Sequence, residues 1–120
     1  MQDFRTLRVW HLSQELGDHV ELALAGFPPE GTTGQKCQLR DACASIESNI
    51  AEGCGRDTRK EMTHFLHIAL GSTNEVDCRL ERARRSGFIT SEMHDDLYRR
   101  IVDVRKMLTS LIVRVRSARK

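Results

Sequence analysis

Apolar residues recur along most of this chain at steps of three and four, the spacing that keeps them on one side of an α-helix. Over residues 4–25 the stripe is Val9, Leu12, Leu16, Val20 and Ala23, widened by Leu7 and Trp10, and Asp3 is placed to cap the helix start. Gly26-Phe27-Pro28-Pro29-Glu30-Gly31 then ends the helix, because proline removes a backbone donor and pushes the residue before it out of the α region. A second helix is predicted from Thr32 or Thr33 to about Glu52, opened by a Thr32/Gln35 capping box. It turns Leu39, Ala42, Cys43, Ile46 and Ile50 inward, and Gly53 and Gly55 stand where a left-handed stop belongs.

Thr58-Arg59-Lys60-Glu61 is a capping box for a third helix over residues 59–85, with Met62, Phe65, Leu66, Ala69, Val76, Leu80 and Ala83 inward and Gly87 ending it. At 1.5 Å per residue this helix is roughly 40 Å long, a rod. Thr90 or Ser91 caps the fourth, whose stripe of Met93, Leu97, Ile101, Val104, Leu108, Leu111, Ile112 and Val115 is the most regular in the chain. Short connections between long amphipathic rods make antiparallel neighbours, so the expected fold is all-α, an antiparallel up-down-up-down four-helix bundle. Residues 118–120 read as a frayed tail.

Composition agrees with that pattern. The 120 residues, 39% of them apolar, suffice for one core, so a single domain over residues 1–120 is expected. The two prolines are adjacent and runs rich in β-branched and aromatic residues are missing, which argues against strands. Aromatics at 5% are too sparse for a base-stacking platform. The first 16 residues carry Asp3 and Glu15, and nowhere do about 20 apolar residues follow one another, so a cytoplasmic protein without a membrane span is expected. Cys37, Cys43, Cys54 and Cys78 have no CxxC spacing and read as small packing residues.

Net charge is only +2, but it is unevenly spread. Residues 1–57 hold five Lys/Arg against nine Asp/Glu, a net −4, while residues 58–120 hold fourteen against eight, a net +6. An anionic partner is therefore expected on the second half. Arg79, Arg82, Arg84 and Arg85 closing helix three, with Arg99, Arg100, Arg105, Lys106, Arg114 and Arg116 on helix four, are the candidates for phosphate contact. Glu75, Asp77, Glu81, Asp95, Asp96 and Asp103 are interleaved with them, so the same arginines also fit a solvated or cross-subunit ion-pair surface.

A second candidate is polar rather than charged. Ser45, Asn49, Glu52 and Arg56 follow steps of four, three and four on helix two, about a quarter turn from the Ile46 and Ile50 stripe. Ser, Asn and one carboxylate beside Ala51, Gly53 and Gly71 suit close helix contact with satisfied hydrogen bonds. Ser72 and Glu75, three apart on helix three, are the expected partners, within the chain or in another subunit. The reading is a structural network or subunit contact.

Catalytic chemistry finds little support. Glu61-x-x-His64 is half of a di-iron helix motif, but no second Glu-x-x-His accompanies it; His64 and His67, three apart, could chelate a metal adventitiously. There is no Gly-x-Ser-x-Gly, no phosphate-cradling glycine loop, and Gly53-Cys54-Gly55 has no strand before it. No catalytic residue, metal or cofactor is assigned, and a metal-dependent bundle enzyme remains the least favoured class.

The ordered set Phe4-x-x-Leu7-x-Val9-Trp10, Phe27-Pro28-x-Glu30, Gln38-Leu39-Arg40, residues 45–56, residues 65–75 and Gly87-Phe88-Ile89 resembles the 23S rRNA intervening-sequence protein family, also called four-helix bundle proteins. The resemblance covers nearly the whole chain. It implies a four-helix bundle assembled into a five-fold ring, a homo-oligomer of pentamer type, and a distant relationship to accessory proteins of diversity-generating retroelements, which bind reverse transcriptase and nucleic acid through basic ring surfaces. Glu47 stands where the family pattern often has proline and Asp41 where a second basic residue is common; both lower the positive charge of helix two. The combined expectation is a non-enzymatic ring that offers a basic surface to RNA, DNA or a nucleic-acid-handling protein. The alternative is a protein-interaction scaffold without nucleic-acid affinity.

Overall fold

A computed structural model describes residues 2–118. Four helices account for nearly all of it: α1 (Arg8–Leu24), α2 (Thr33–Cys54), α3 (Arg59–Arg85) and α4 (Ser91–Ser117), preceded by a 3-10 turn at Phe4–Thr6. No strand occurs among the described residues. Each helix packs on its neighbours in the chain and α4 closes against α1, while the diagonal pairs α1/α3 and α2/α4 stay apart. This is the expected antiparallel up-down-up-down bundle, drawn out into a rod of 52 × 22 × 20 Å.

The predicted stripes meet in one core. Ile46, Leu66 and Leu108 are each 0% exposed, and Leu16, Val20, Leu39, Ile50, Val76, Leu80, Ile101 and Val104 are buried with them. The helix starts at Thr58 and Thr90 are capped as the sequence implies, each hydroxyl accepting from the backbone N–H three residues on, at 3.1 Å. Gly87 takes the left-handed conformation, φ 78°, and Phe88 N–H donates back to the Ala83 carbonyl at 2.9 Å, closing α3. The Phe88 ring then packs against Phe27 with centroids 5.3 Å apart, tying the α3/α4 turn to the proline loop at the same end.

Several local expectations are corrected. Asp3 caps the 3-10 turn, accepting from Arg5 N–H, and the chain is extended at Leu7 before α1 begins at Arg8. Thr32 does not cap α2: its buried hydroxyl donates to the Pro28 carbonyl, so the proline loop takes the group the helix would have used. Helix α2 runs on to Cys54, and Gly55 ends it in a right-handed conformation, so neither Gly53 nor Gly55 is a left-handed stop. Gly53 is needed for close approach instead. A Cβ there would lie 3.1 Å from the Met62 carbonyl oxygen and 3.2 Å from Phe65 Cβ. Met93 is 36% exposed rather than inward, and Met62, Phe65 and Val115 are half-buried at the edge of the core. Cys43 and Cys54 are buried packing residues, but Cys37 and Cys78 are exposed; all four are free. Of the tail, Ala118 is extended, and Arg119 and Lys120 lie outside the described residues.

Candidate functional site

The α2/α3 seam carries the polar row. Ser45 Oγ and Ser72 Oγ lie 2.8 Å apart across the two helices, and Asn49 Nδ2 donates to the Ser45 carbonyl at 2.8 Å and to its hydroxyl at 3.0 Å. These three residues form one cluster inside a single chain. Glu52 and Arg56 pair with each other one turn further on, with the Arg56 guanidinium over the Phe65 ring at 4.7 Å and its buried Nε lacking a partner among the described residues. Glu75 does not join Ser72; it takes Arg79 of its own helix at 2.9 Å. The row is thus two small networks separated by a helical turn, both half-exposed and neither shaped around a nucleophile.

Because α1 lies beside α2 and α3 beside α4, the charge asymmetry of the sequence becomes an asymmetry of the bundle, acidic on one side and basic on the other. Within the basic side many candidate cations are already matched. Arg79 holds Glu75, Arg84 holds Glu81, and Arg99 and Arg100 share Asp96. Arg105 crosses from α4 to Asp77 on α3 at 2.7 Å and donates to Asn74 at 3.1 Å. The hydrogen bond from Arg84 holds the Glu81 carboxyl below its usual range, and the one from Arg100 does the same for Asp96. Of the eight leading candidates, Arg82, Arg85 and Lys106 have no carboxylate partner among the described residues.

At the opposite end of the same side, sequence singled out Arg114 and Arg116 but not Arg59 and Lys60. Arg59 and Lys60, in the first turn of α3, stand at the end of the rod where α4 finishes with Arg114 and Arg116, and Arg116 donates to His67 Nε2 at 2.8 Å. None of these four has a carboxylate partner among the described residues. The signal was available: in an antiparallel hairpin the start of one helix faces the end of the next, so two basic termini far apart in sequence become neighbours.

Two grooves flank the bundle near its other end. Between α2 and α3, Gln35, Leu39, Glu75, Cys78, Arg79 and Arg82 line about 440 Å³. Between α1 and α4, about 330 Å³ is lined by His19, Leu22, Ala23, Glu92, Met93, Asp96 and Leu97. A third groove, between α1 and α2, holds Asp18, Glu21, Arg40, Cys43 and Glu47. There Arg40 chelates Glu21 with two bonds of 2.7 and 2.8 Å, and burial pushes the Cys43 thiol up to about 12. A thiol that stays protonated is no nucleophile. Glu61 accepts from the Thr58 cap and His64 packs edge-on against Phe65, and no group of three or more His, Cys, Asp or Glu side chains that could hold a metal is found among the described residues. No described helix is long and apolar enough to cross a membrane.

The family model for "23S rRNA-intervening sequence protein" matches residues 5–110. The chain belongs to that family. Members are related in fold as well as sequence: a crystal structure at 1.70 Å of a protein of unknown function from the S23 ribosomal protein family of Bacteroides thetaiotaomicron superposes with a TM-score of 0.78 at 27% identity, covering 87% of this chain and 97% of that one. No curated protein matches the sequence. Neither the family description nor that of the crystal structure names an enzyme class.

Proposed function

We propose that this family member is a non-enzymatic, ring-forming homo-oligomer, of pentamer type, whose α3/α4 side contacts nucleic-acid phosphates directly or beside a nucleic-acid-handling protein. The observation that carries the reading is the segregation of charge across the bundle: net −4 in residues 2–57 of the α1/α2 half, and net +4, twelve Lys/Arg against eight Asp/Glu, in the described residues 58–118 of the α3/α4 half. On the basic half Arg59, Lys60, Arg85, Lys106 and Arg114 keep their charge unmatched by any described carboxylate. Such cations attract a polyanion by displacing its counterions, which needs no base contact and no aromatic platform.

The expected binding is tolerant of sequence and steeply weakened by salt. Retention of a labelled RNA at low and moderate salt tests it. Salt-sensitive retention supports the reading; equal retention at both salts, or none at either, removes it. A scaffold that binds only protein is the second reading, favoured by the number of arginines already held by carboxylates on their own helix.

A further inference from the structure

The two apolar grooves at the proline-loop end differ in shape and charge. On the α1/α4 face Leu22 projects, 71% exposed, with Met93 beside it at 36%, and Glu92 and Asp96 stand in the same lining. On the α2/α3 face the surface is recessed: buried Leu39 and exposed Cys78 share the groove with Gln35, with the Arg79–Glu75 ion pair and with the guanidinium group of Arg82. In the cyclic order of the bundle these faces are opposite one another. They also lie at one height along the rod, since Glu21 beside Leu22 reaches Arg40 beside Leu39, and His94 beside Met93 reaches Glu81 beside Arg82.

We infer that the occupant of the α2/α3 groove is Leu22, with Met93, of a second copy of this chain. This rests on the ring reading above and names its contact. The argument is complementarity of two kinds. An apolar knob faces an apolar recess, and Glu92 of the knob meets Arg82 of the recess, each without an ion-pair partner among the described residues, whereas Asp96 and Arg79 are already held within the chain. Equal height on opposite faces lets neighbouring rods stand side by side in the same sense. Such a contact is heterologous, leaving one knob and one recess unused on every pair, so it propagates; it makes a ring when each copy is rotated against the last by a closing angle, and an open filament otherwise. It assigns Arg79 and Arg82 to the subunit contact and leaves the outer α3/α4 surface for phosphate.

The test is sedimentation velocity on four proteins and one mixture. The wild type sediments as a closed oligomer, Leu22→Asp as a monomer of 13.7 kDa, and the double variant Cys78→Glu/Arg82→Glu also as a monomer. Leu22, Cys78 and Arg82 are exposed, so neither variant removes core packing, and the milder Leu22→Ser weakens assembly with unchanged helical circular dichroism. Mixing the two monomeric variants leaves one intact knob and one intact recess, which gives a dimer and nothing larger. A wild-type monomer would overturn both this contact and the ring. An oligomer that survives Leu22→Asp, or a mixture that stays monomeric, would overturn the contact alone and leave the ring to another face.

Discussion

Ser45 of α2 and Ser72 of α3 share a hydrogen bond of 2.8 Å between their hydroxyl oxygens, the point at which the polar row crosses from one helix to the next. Asn49 donates to the same Ser45 oxygen, which leaves Ser45 free to give its proton to Ser72. Replacing either serine by alanine is expected to cost about 1 kcal/mol, the net worth of a typical intramolecular hydrogen bond. Urea denaturation of Ser45→Ala, Ser72→Ala and the double variant should give a coupling of about 0.5–1 kcal/mol. Strict additivity would mean that the two hydroxyls do not act together.

Two glycines on the same pair of helices should respond in opposite directions to alanine. At Gly53 a Cβ would press on the Met62 carbonyl oxygen at 3.1 Å, a backbone atom that cannot swing away, so Gly53→Ala should destabilise by about 1–3 kcal/mol through overpacking. At Gly71, in the middle of α3, nothing lies within 4 Å, and Gly71→Ala should stabilise by about 0.5–1 kcal/mol through helix propensity. Midpoints of chemical denaturation for the two variants check both signs.

The helical stripes were legible because buried positions repeat at helical spacing whatever their neighbours, and Leu39, Ile46, Leu66 and Leu108 all fell inward as the pattern requires. What periodicity could not supply was competition between local partners. Thr32 has the spacing of a cap, yet its hydroxyl is nearer the Pro28 carbonyl, and Gly53 has the position of a stop, yet its smallness serves contact with Phe65. The candidate basic surface was read only in part for a related reason. Composition places arginines on α3 and α4, but which of them are already held, as Arg84 is by Glu81, depends on rotamers, and the approach of Arg116 to His67 depends on hairpin register.

Glu47 offers a pH-dependent check on the α1/α2 groove. Burial pushes its carboxyl above the usual carboxylate range, and the charge of Asp18 pushes the same way against an opposing hydrogen bond from Gln14. The folded state therefore holds this proton more tightly than the unfolded chain, so ionised Glu47 lowers stability at neutral pH. That cost vanishes as pH falls below the unfolded value of about 4.3. Glu47→Gln should accordingly be more stable than the wild type at neutral pH and indistinguishable from it near pH 4. Denaturation curves at the two pH values decide it; a variant less stable at neutral pH would show that the carboxylate is favourably held.

The central functional claim is that phosphate contact belongs to the α3/α4 side and not to the bundle's net charge. It is tested most directly by the salt dependence of RNA binding for the wild type, for Lys60→Glu/Lys106→Glu/Arg116→Glu, and for Arg8→Glu/Lys36→Glu on the α1/α2 side. The account predicts that the triple variant loses affinity and that its slope of log K against log salt falls by about 0.7 for each lost single-strand contact, while the α1/α2 variant keeps the wild-type slope. Equal losses from both variants, or an unchanged slope in the triple variant, would contradict it.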